Sequence, residues 1–253
     1  MTQAGNVAPE GALTARSVLA STLLGAQPPD LPVAHLVGLA ALFGINENRA
    51  RVALSRMVAA GEATTDGSGH YRVAGHLLER QRRQTSSRAG RTNPWGGRWH
   101  LVVVTTAGST AEVRGRRRRV LALSRLAELR EGTWLRPDNV DLVLPADLGP
   151  DLERFTARPE APGVLAGRLW DLDAWVARAD DLLERLAARS PADWTDLAPG
   201  FVLSAAVLRH LQADPLLPPE LLPDGWPGRS LRRAYDEWDA RYRRVLGAWS
   251  RST

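Results

Sequence analysis

The sequence predicts an α+β chain of more than one domain. Three observations carry this. The chain has 253 residues, enough for two or three small hydrophobic cores. Its two ends show helical apolar spacing. Its middle is interrupted by β-rich runs bounded by glycine, such as ATTDGSGHYRV and Trp99–Val104.

The elements follow in chain order. Residues 1–12 lack periodicity and read as a disordered tail. LTARSVLASTLL (13–24) places Val18, Leu19, Thr22 and Leu23 on one helical face, and Gly25 with QPPD stops it. Pro32 opens a second helix, VAHLVGLAALF, which turns at Gly44. Asn46 is a suitable N-cap for a third helix, ENRARVALSRMVAAG. At 100° per residue, Ala50, Leu54, Met57, Val58 and Gly61 share one face. Asn48, Arg49, Val52, Ser55 and Arg56 share the opposite face, with Arg51 at the flank. The alternation around Asp66-Gly67-Ser68-Gly69 then predicts a hairpin. Three helices followed by a hairpin is the order of a winged helix-turn-helix, in which the last helix enters the major groove of double-stranded DNA.

Beyond it, LLERQRRQTSSRAGRTNP begins helically and becomes a basic linker carrying Arg80, Arg82, Arg83, Arg88 and Arg91. WHLVVV predicts a buried strand and RVLALSRLAELR a helix ending at Gly132. TWLRPDNVDLVL and GVLAGRLW are further strand candidates, giving a small unit of ferredoxin-like type. After Asp171 the pattern is helical. Two stripes, Leu172–Leu186 and Leu231–Trp249, face either the chain's own core or a dimer seam. The expected division is therefore tail 1–12, DNA-binding domain 13–76, linker helix and basic linker 77–97, central domain 98–170 and helical C-terminal domain 171–253.

Composition narrows the function. The chain has no cysteine and no lysine, so thiol chemistry, iron–sulfur clusters, Schiff bases and a P-loop lysine are excluded. The five histidines form no HExxH spacing, and neither a GxSxG elbow nor GxGxxG is present. We expect no cofactor, no metal and no enzyme activity. The N-terminus lacks the basic and apolar regions of a secretory signal, and no apolar run reaches the roughly 20 residues that span a bilayer, so a cytoplasmic, nucleoid-associated protein without a membrane partner is expected. Residues 46–125 carry sixteen arginines against five acids, a localised basic field of the kind that meets a polyanion.

Asn48, Arg49, Ser55 and Arg56 are the candidates for base contact, since Arg pairs bidentately with guanine. Arg51 reaches a phosphate or a neighbouring acid instead. On the wing, His70 and Arg72 are candidates for backbone or minor-groove contact, whereas Tyr71 either touches DNA or packs the hairpin. Arg116–Arg119 bind DNA or ligand phosphates, or form one solvated turn. Trp99, Trp134 and Trp226 are candidates for an apolar effector pocket, with Arg98 or Arg136 holding a charged part.

From about residue 14 to 247 the chain resembles the PaaX family of bacterial regulators. Three stretches carry the resemblance: RSVLASTLLGA with ARVALSRMVAAG, where Arg51, Ala53, Ser55, Arg56 and Gly61 match; WGGRWHLVVV; and LRHLQADPLLPPELLPDGWPG. The last is the most specific, through Asp214-Pro215-Leu216-Leu217-Pro218, Leu221-Leu222-Pro223 and Trp226-Pro227-Gly228. The resemblance implies a winged helix, a Cas2-like ferredoxin fold and a C-terminal helical domain. It also implies a homodimeric repressor released from operator DNA by an acyl-CoA such as phenylacetyl-CoA. Two positions depart from the pattern: Glu62 stands where an aromatic follows the helix-ending glycine, and Asp66 sits at the wing tip.

Two alternatives remain at this point. One is an effector-independent DNA-binding protein. The other is a metal-dependent nuclease on the Cas2-like fold, which needs an acid at the end of the first strand. There, Val104 is followed by Thr105-Thr106-Ala107-Gly108.

Overall fold

The computed structural model describes residues 13–26, 30–106 and 108–252; the expected tail, and Gln27-Pro28-Pro29 of the first helix stop, lie outside them. The chain mixes helices with two small antiparallel sheets, an α+β protein. It divides into two compact units, and the division falls inside three helices, α4 (Gly75–Ala89), α8 (Leu197–Ala213) and α9 (Gly228–Ser252).

Unit one comprises the described residues of 13–85, 189–205 and 237–252. Its N-terminal part runs α1 (Ala15–Gly25), β1 (Asp30–Pro32), α2 (Val33–Ala41), α3 (Glu47–Ala59), β2 (Ala63–Thr65) and β3 (His70–Val73). Each helix start has a local cause. The Thr14 hydroxyl accepts from the Ser17 N–H, Pro32 precedes α2, and the Asn46 carboxamide accepts from the Arg49 N–H at 2.9 Å. Gly61, at φ +67°, ends α3, with its N–H on the Val58 carbonyl and the Glu62 N–H on the Met57 carbonyl. Val18, Leu19, Leu23, Leu36, Leu54 and Met57 form the shared core of the three helices. The sheet order is β1-β3-β2, so the hairpin is joined by β1, which the sequence pattern does not disclose. In the same unit the end of α9 lies against α2: His35 Nδ1 is 2.6 Å from the Ser250 hydroxyl, and the Trp249 ring lies over Gly38. The Tyr242 hydroxyl donates to the Leu197 carbonyl, and Phe201 packs edge-on to Phe43.

Unit two comprises residues 86–188 and 206–236. It contains β4 (Trp99–Val104), α5 (Ala111–Leu123), β5 (Ala127–Arg130), β6 (Thr133–Pro137), β7 (Leu152–Ala157), α6 (Pro162–Leu169) and α7 (Leu172–Ala188). The sheet order is β5-β6-β4-β7, antiparallel throughout. Val102, Leu121, Leu126 and Trp134 pack one sheet face, and Trp99, Leu135, Ala166 and Leu217 the other.

The central elements differ from expectation in three places. The helix expected to run to Gly132 stops at Leu123, and residues 127–130 are a strand. Arg125, at φ +60°, makes the left-handed turn usually given to glycine, while the Leu126 N–H reaches back to the Leu121 carbonyl. GVLAGRLW is not a strand but most of α6, with Pro162 at its first turn. β7 replaces it in the sheet as an edge strand, where charged Glu153 and Arg154 obscured the alternation. The linker helix expected after residue 77 extends from Gly75 to Ala89, so Arg80, Arg82, Arg83 and Arg88 are helical and Arg91 lies beyond it. Both C-terminal stripes go into the chain's own core: Trp175, Ala179, Leu182 and Leu186 of α7, and Leu231, Tyr235, Trp238 and Tyr242 of α9, are buried.

Candidate nucleic-acid interface

The packing of α3 determines which side chains it can offer. Ala50, Leu54 and Met57 are inaccessible, so Asn48, Arg49, Val52, Ser55 and Arg56 point outward. Arg49 and Arg56 are seven residues apart, about 10 Å along the axis. Among the described residues no acid pairs with either guanidinium. Arg51 is different: its Nε donates to Glu47 Oε1 at 2.7 Å, one turn back on the same helix. Ser55 donates to the Arg51 carbonyl and keeps its lone pairs for an outside donor.

The hairpin expected to be a wing is more self-contained than the sequence implied. The Arg72 guanidinium donates to Asp30 Oδ2 at 2.6 Å, and His70 Nδ1 lies 3.1 Å from Oδ1 of the same carboxylate. The bond to Arg72 holds the Asp30 carboxyl below its ordinary range and raises Arg72 above its own. Tyr71 is half-buried against the helical core, so it packs the hairpin. Asp66 acts as a tip brace: it accepts from the Ser68 hydroxyl, the Ser68 N–H and the His70 N–H. Those bonds, led by the Ser68 hydroxyl, lower its pKa.

Glu62 is only 6% exposed. Both its oxygens accept from the Arg16 guanidinium of α1, and His76 Nε2 stands 3.6 Å away. The bond to Arg16 depresses the Glu62 pKa. An ion pair thus closes the spot beside the hairpin.

The five residues expected at an effector pocket do not converge. Trp99 and Trp134 belong to the cores on opposite faces of one sheet and cannot line one cavity. Arg98 is exposed and paired with Asp138 at 2.9 Å. Arg136 is 1% exposed and donates only to neutral oxygens, at Pro137, Ser124 and Asn139; burial pushes its pKa down to about 10. Trp226 stacks on Trp175 at 4.3 Å between ring centroids.

Two cavities are nevertheless present in unit two. One, of about 320 Å³, is shallow and lined by Trp170, Trp175, Arg178 and His210. His210 stacks on Trp175 and is held below the usual histidine range by burial. The other, of about 330 Å³, lies between α5 and the β5–β6 turn and includes Trp134, Arg114, Arg117 and Arg118. Of the run Arg116–Arg119 only Arg117 and Arg118 line it, and Arg114, one turn earlier, is the third arginine.

The carboxylate sought at the end of the first strand exists, but another segment supplies it. Asp151 accepts from the Thr106 hydroxyl at 2.6 Å and from Arg117 at 2.8 Å, which together keep it ionised and occupied. Among the described residues no group of three potential metal ligands forms, and no helix is long and apolar enough to cross a membrane.

The fold and this surface define a class first: an α+β protein presenting a basic helix beside a braced hairpin. A family model described as PaaX-like protein matches residues 14–77, and a second, PaaX-like protein C-terminal domain, matches residues 170–249. The chain belongs to the PaaX family, a family of transcriptional regulators. It is also similar to a solved structure described as uncharacterized protein Rv0674 from Mycobacterium tuberculosis. The two are 45% identical over 93% of this chain and 98% of that one, with a TM-score of 0.74. No curated protein matches the chain.

Proposed function

We propose that this regulator is a sequence-specific DNA-binding repressor whose residues 13–76 act as a winged helix-turn-helix. The observation that carries the reading is the outward face of α3, with Arg49 and Arg56 free of acids and Asn48 and Ser55 beside them. In the major groove these side chains read base edges. Arg51, His70 and Arg72 contact the phosphate backbone at the margin, which positions the helix without reading sequence. A homodimer sets two such helices on the half-sites of a palindromic operator.

The second sheet has the strand order of a ferredoxin-like unit, and we read it as the scaffold of the central domain, 98–170, ahead of the helical domain 171–253. A small-molecule effector releases the DNA by favouring a geometry that no longer fits two successive grooves. The family resemblance implies an acyl-CoA of the phenylacetyl type.

Fluorescence anisotropy on a labelled duplex from the promoter beside the protein's own coding sequence tests this at fixed salt. The expected result is tight binding that competitor DNA of scrambled sequence does not displace, relieved by phenylacetyl-CoA. Binding equally displaced by scrambled DNA would overturn sequence-specific repression. Specific binding that phenylacetyl-CoA leaves intact would overturn the thioester alone.

A further inference from the structure

The three helices of the DNA-binding part are not held in the same way. α1 and α3 are capped by the side chains of Thr14 and Asn46. α2 has no side-chain cap and only nine residues, too few for a helix to persist without packing. Leu36, Leu39 and Ala40 join it to the core. The positions beside them are occupied from the far end of the chain.

Trp249 and Ser250 lie in the last turn of α9, within the same unit. The Ser250 hydroxyl is 2.6 Å from His35 Nδ1, across 215 positions of sequence. The Trp249 indole meets the same imidazole edge-on, at 5.9 Å between centroids. One turn further along α2, Gly38 gives the indole its seat: a Cβ there would stand 3.2 Å from Trp249 Cη2 and 3.6 Å from Cζ2. Glycine inside a helix weakens it, so this one has a packing reason. Just beyond α2, Phe43 receives Phe201 of α8 at 5.0 Å. Higher on α9, Arg243 Nη1 donates to the Gly25 carbonyl that ends α1. A tilt of α2 passes directly to α3, because the turn between them is tied back by the Gly44 N–H on the Ala41 carbonyl and the Ile45 N–H on the Ala40 carbonyl.

We propose that the last turn of α9 is a positioning element of the DNA-binding unit. Trp249 and Ser250, seated on Gly38 and His35, fix α2 and through it the angle at which α3 offers Arg49 and Arg56. Segment 13–76 then lacks part of its own apparatus. This rests on the DNA-binding reading and adds to it residues that act only through α2.

Hydrogen exchange and anisotropy on the full chain test it, with Trp249→Ala, Gly38→Ala, and Gly38→Ala combined with Trp249→Phe. Trp249→Ala should speed amide exchange in residues 33–41 about tenfold and leave α1 near the wild type. At fixed salt it should lose about tenfold in preference for the promoter duplex over a scrambled one. Binding to the scrambled duplex should hardly change, because phosphate contacts survive a tilt that base contacts do not. A variant that merely unfolds more readily would lose both. Gly38→Ala should act in the same direction, since its Cβ displaces the indole. Adding Trp249→Phe, whose ring is too short to meet that Cβ, should restore most of the preference. Unchanged exchange in α2 would overturn the proposal, as would an unchanged preference in Trp249→Ala. If Trp249→Ala does not fold, the Gly38 variants decide alone, and a double variant no better than Gly38→Ala counts against the seat. A wild-type chain without preference for the promoter sinks the DNA-binding reading instead; exchange in α2 then still decides whether the α9 turn positions that helix.

Discussion

At Glu62 a single buried carboxylate ties the residue after α3 to α1 through an ion pair with Arg16, and that pair has a pH signature. Its carboxylate is held by Arg16, which depresses its pKa below the ordinary 4.5. A depressed carboxylate contributes stability that is present above the unfolded pKa and is lost as pH falls through the folded one. Glu62→Gln should therefore cost about 1–3 kcal/mol at pH 7, because the buried amide keeps only one acceptor oxygen and turns its own N–H group toward Arg16. The gap to the wild type should narrow as pH drops below about 4.5; urea unfolding at pH 7 and pH 3.5 reads both. Asp30 offers the complementary test on the DNA side. Its carboxylate competes with phosphate for Arg72, so Asp30→Asn should leave that guanidinium wholly to the DNA. Near 0.15 M salt that predicts about fivefold tighter operator binding and a salt slope steeper by nearly one unit. An unchanged slope would place Arg72 away from the DNA. Neither partner was legible beforehand. Asp30 reads as part of a helix stop, and only pairing of β1 with β3 carries it to Arg72.

Two helix ends show, at the level of the element, what a sequence discloses. α3 closes on Gly61, and α5 closes with the same pair of back-reaching N–H bonds on Arg125. The first is announced by its glycine. The second is held by distant groups: Arg125 Nε donates to the Asp214 carbonyl at 3.0 Å and Nη2 to the Ser87 hydroxyl at 2.8 Å. A tertiary restraint thus does the work of a local signal, and the helix was read nine residues too long. The edge strand β7 was missed for a related reason, because pairing on one side alone tolerates charge where alternation is sought. α3 itself was legible, cap and faces together, since its amphipathic period and Asn46 point the same way. It carries a sharp comparison. Arg56→Ala should reduce discrimination against a mismatched operator by about 1–3 kcal/mol. Arg51→Ala, at a side chain already paired with Glu47, should weaken all duplexes alike. Equal loss of discrimination in both would contradict their assigned positions.

The family's C-terminal signature makes sense only at the scale of the whole unit it stabilises. Asp214 is 1% exposed, pairs with Arg232 at 2.8 Å, and accepts the Leu216 N–H, which holds Leu216 at φ +51°. Its backbone carbonyl takes Arg125, and Asn139 reaches across to the Leu216 carbonyl. Arg125 and Arg232 thus flank a single carboxylate, and the charge of Arg125 adds to burial in lowering the pKa of the neighbouring Arg136. A buried guanidinium that loses its acid is left uncompensated, whereas removing both partners together is far less costly. Asp214→Asn should therefore destabilise the protein by about 3 kcal/mol. The double change Asp214→Asn with Arg232→Met should recover a large part of that loss, although it deletes the same ion pair. Urea midpoints for the wild type, both single variants and the double variant close the cycle. Recovery means that charge balance in unit two constrains the signature. Losses that simply add would mean that Asp214 matters through the Leu216 turn and that its partner is incidental.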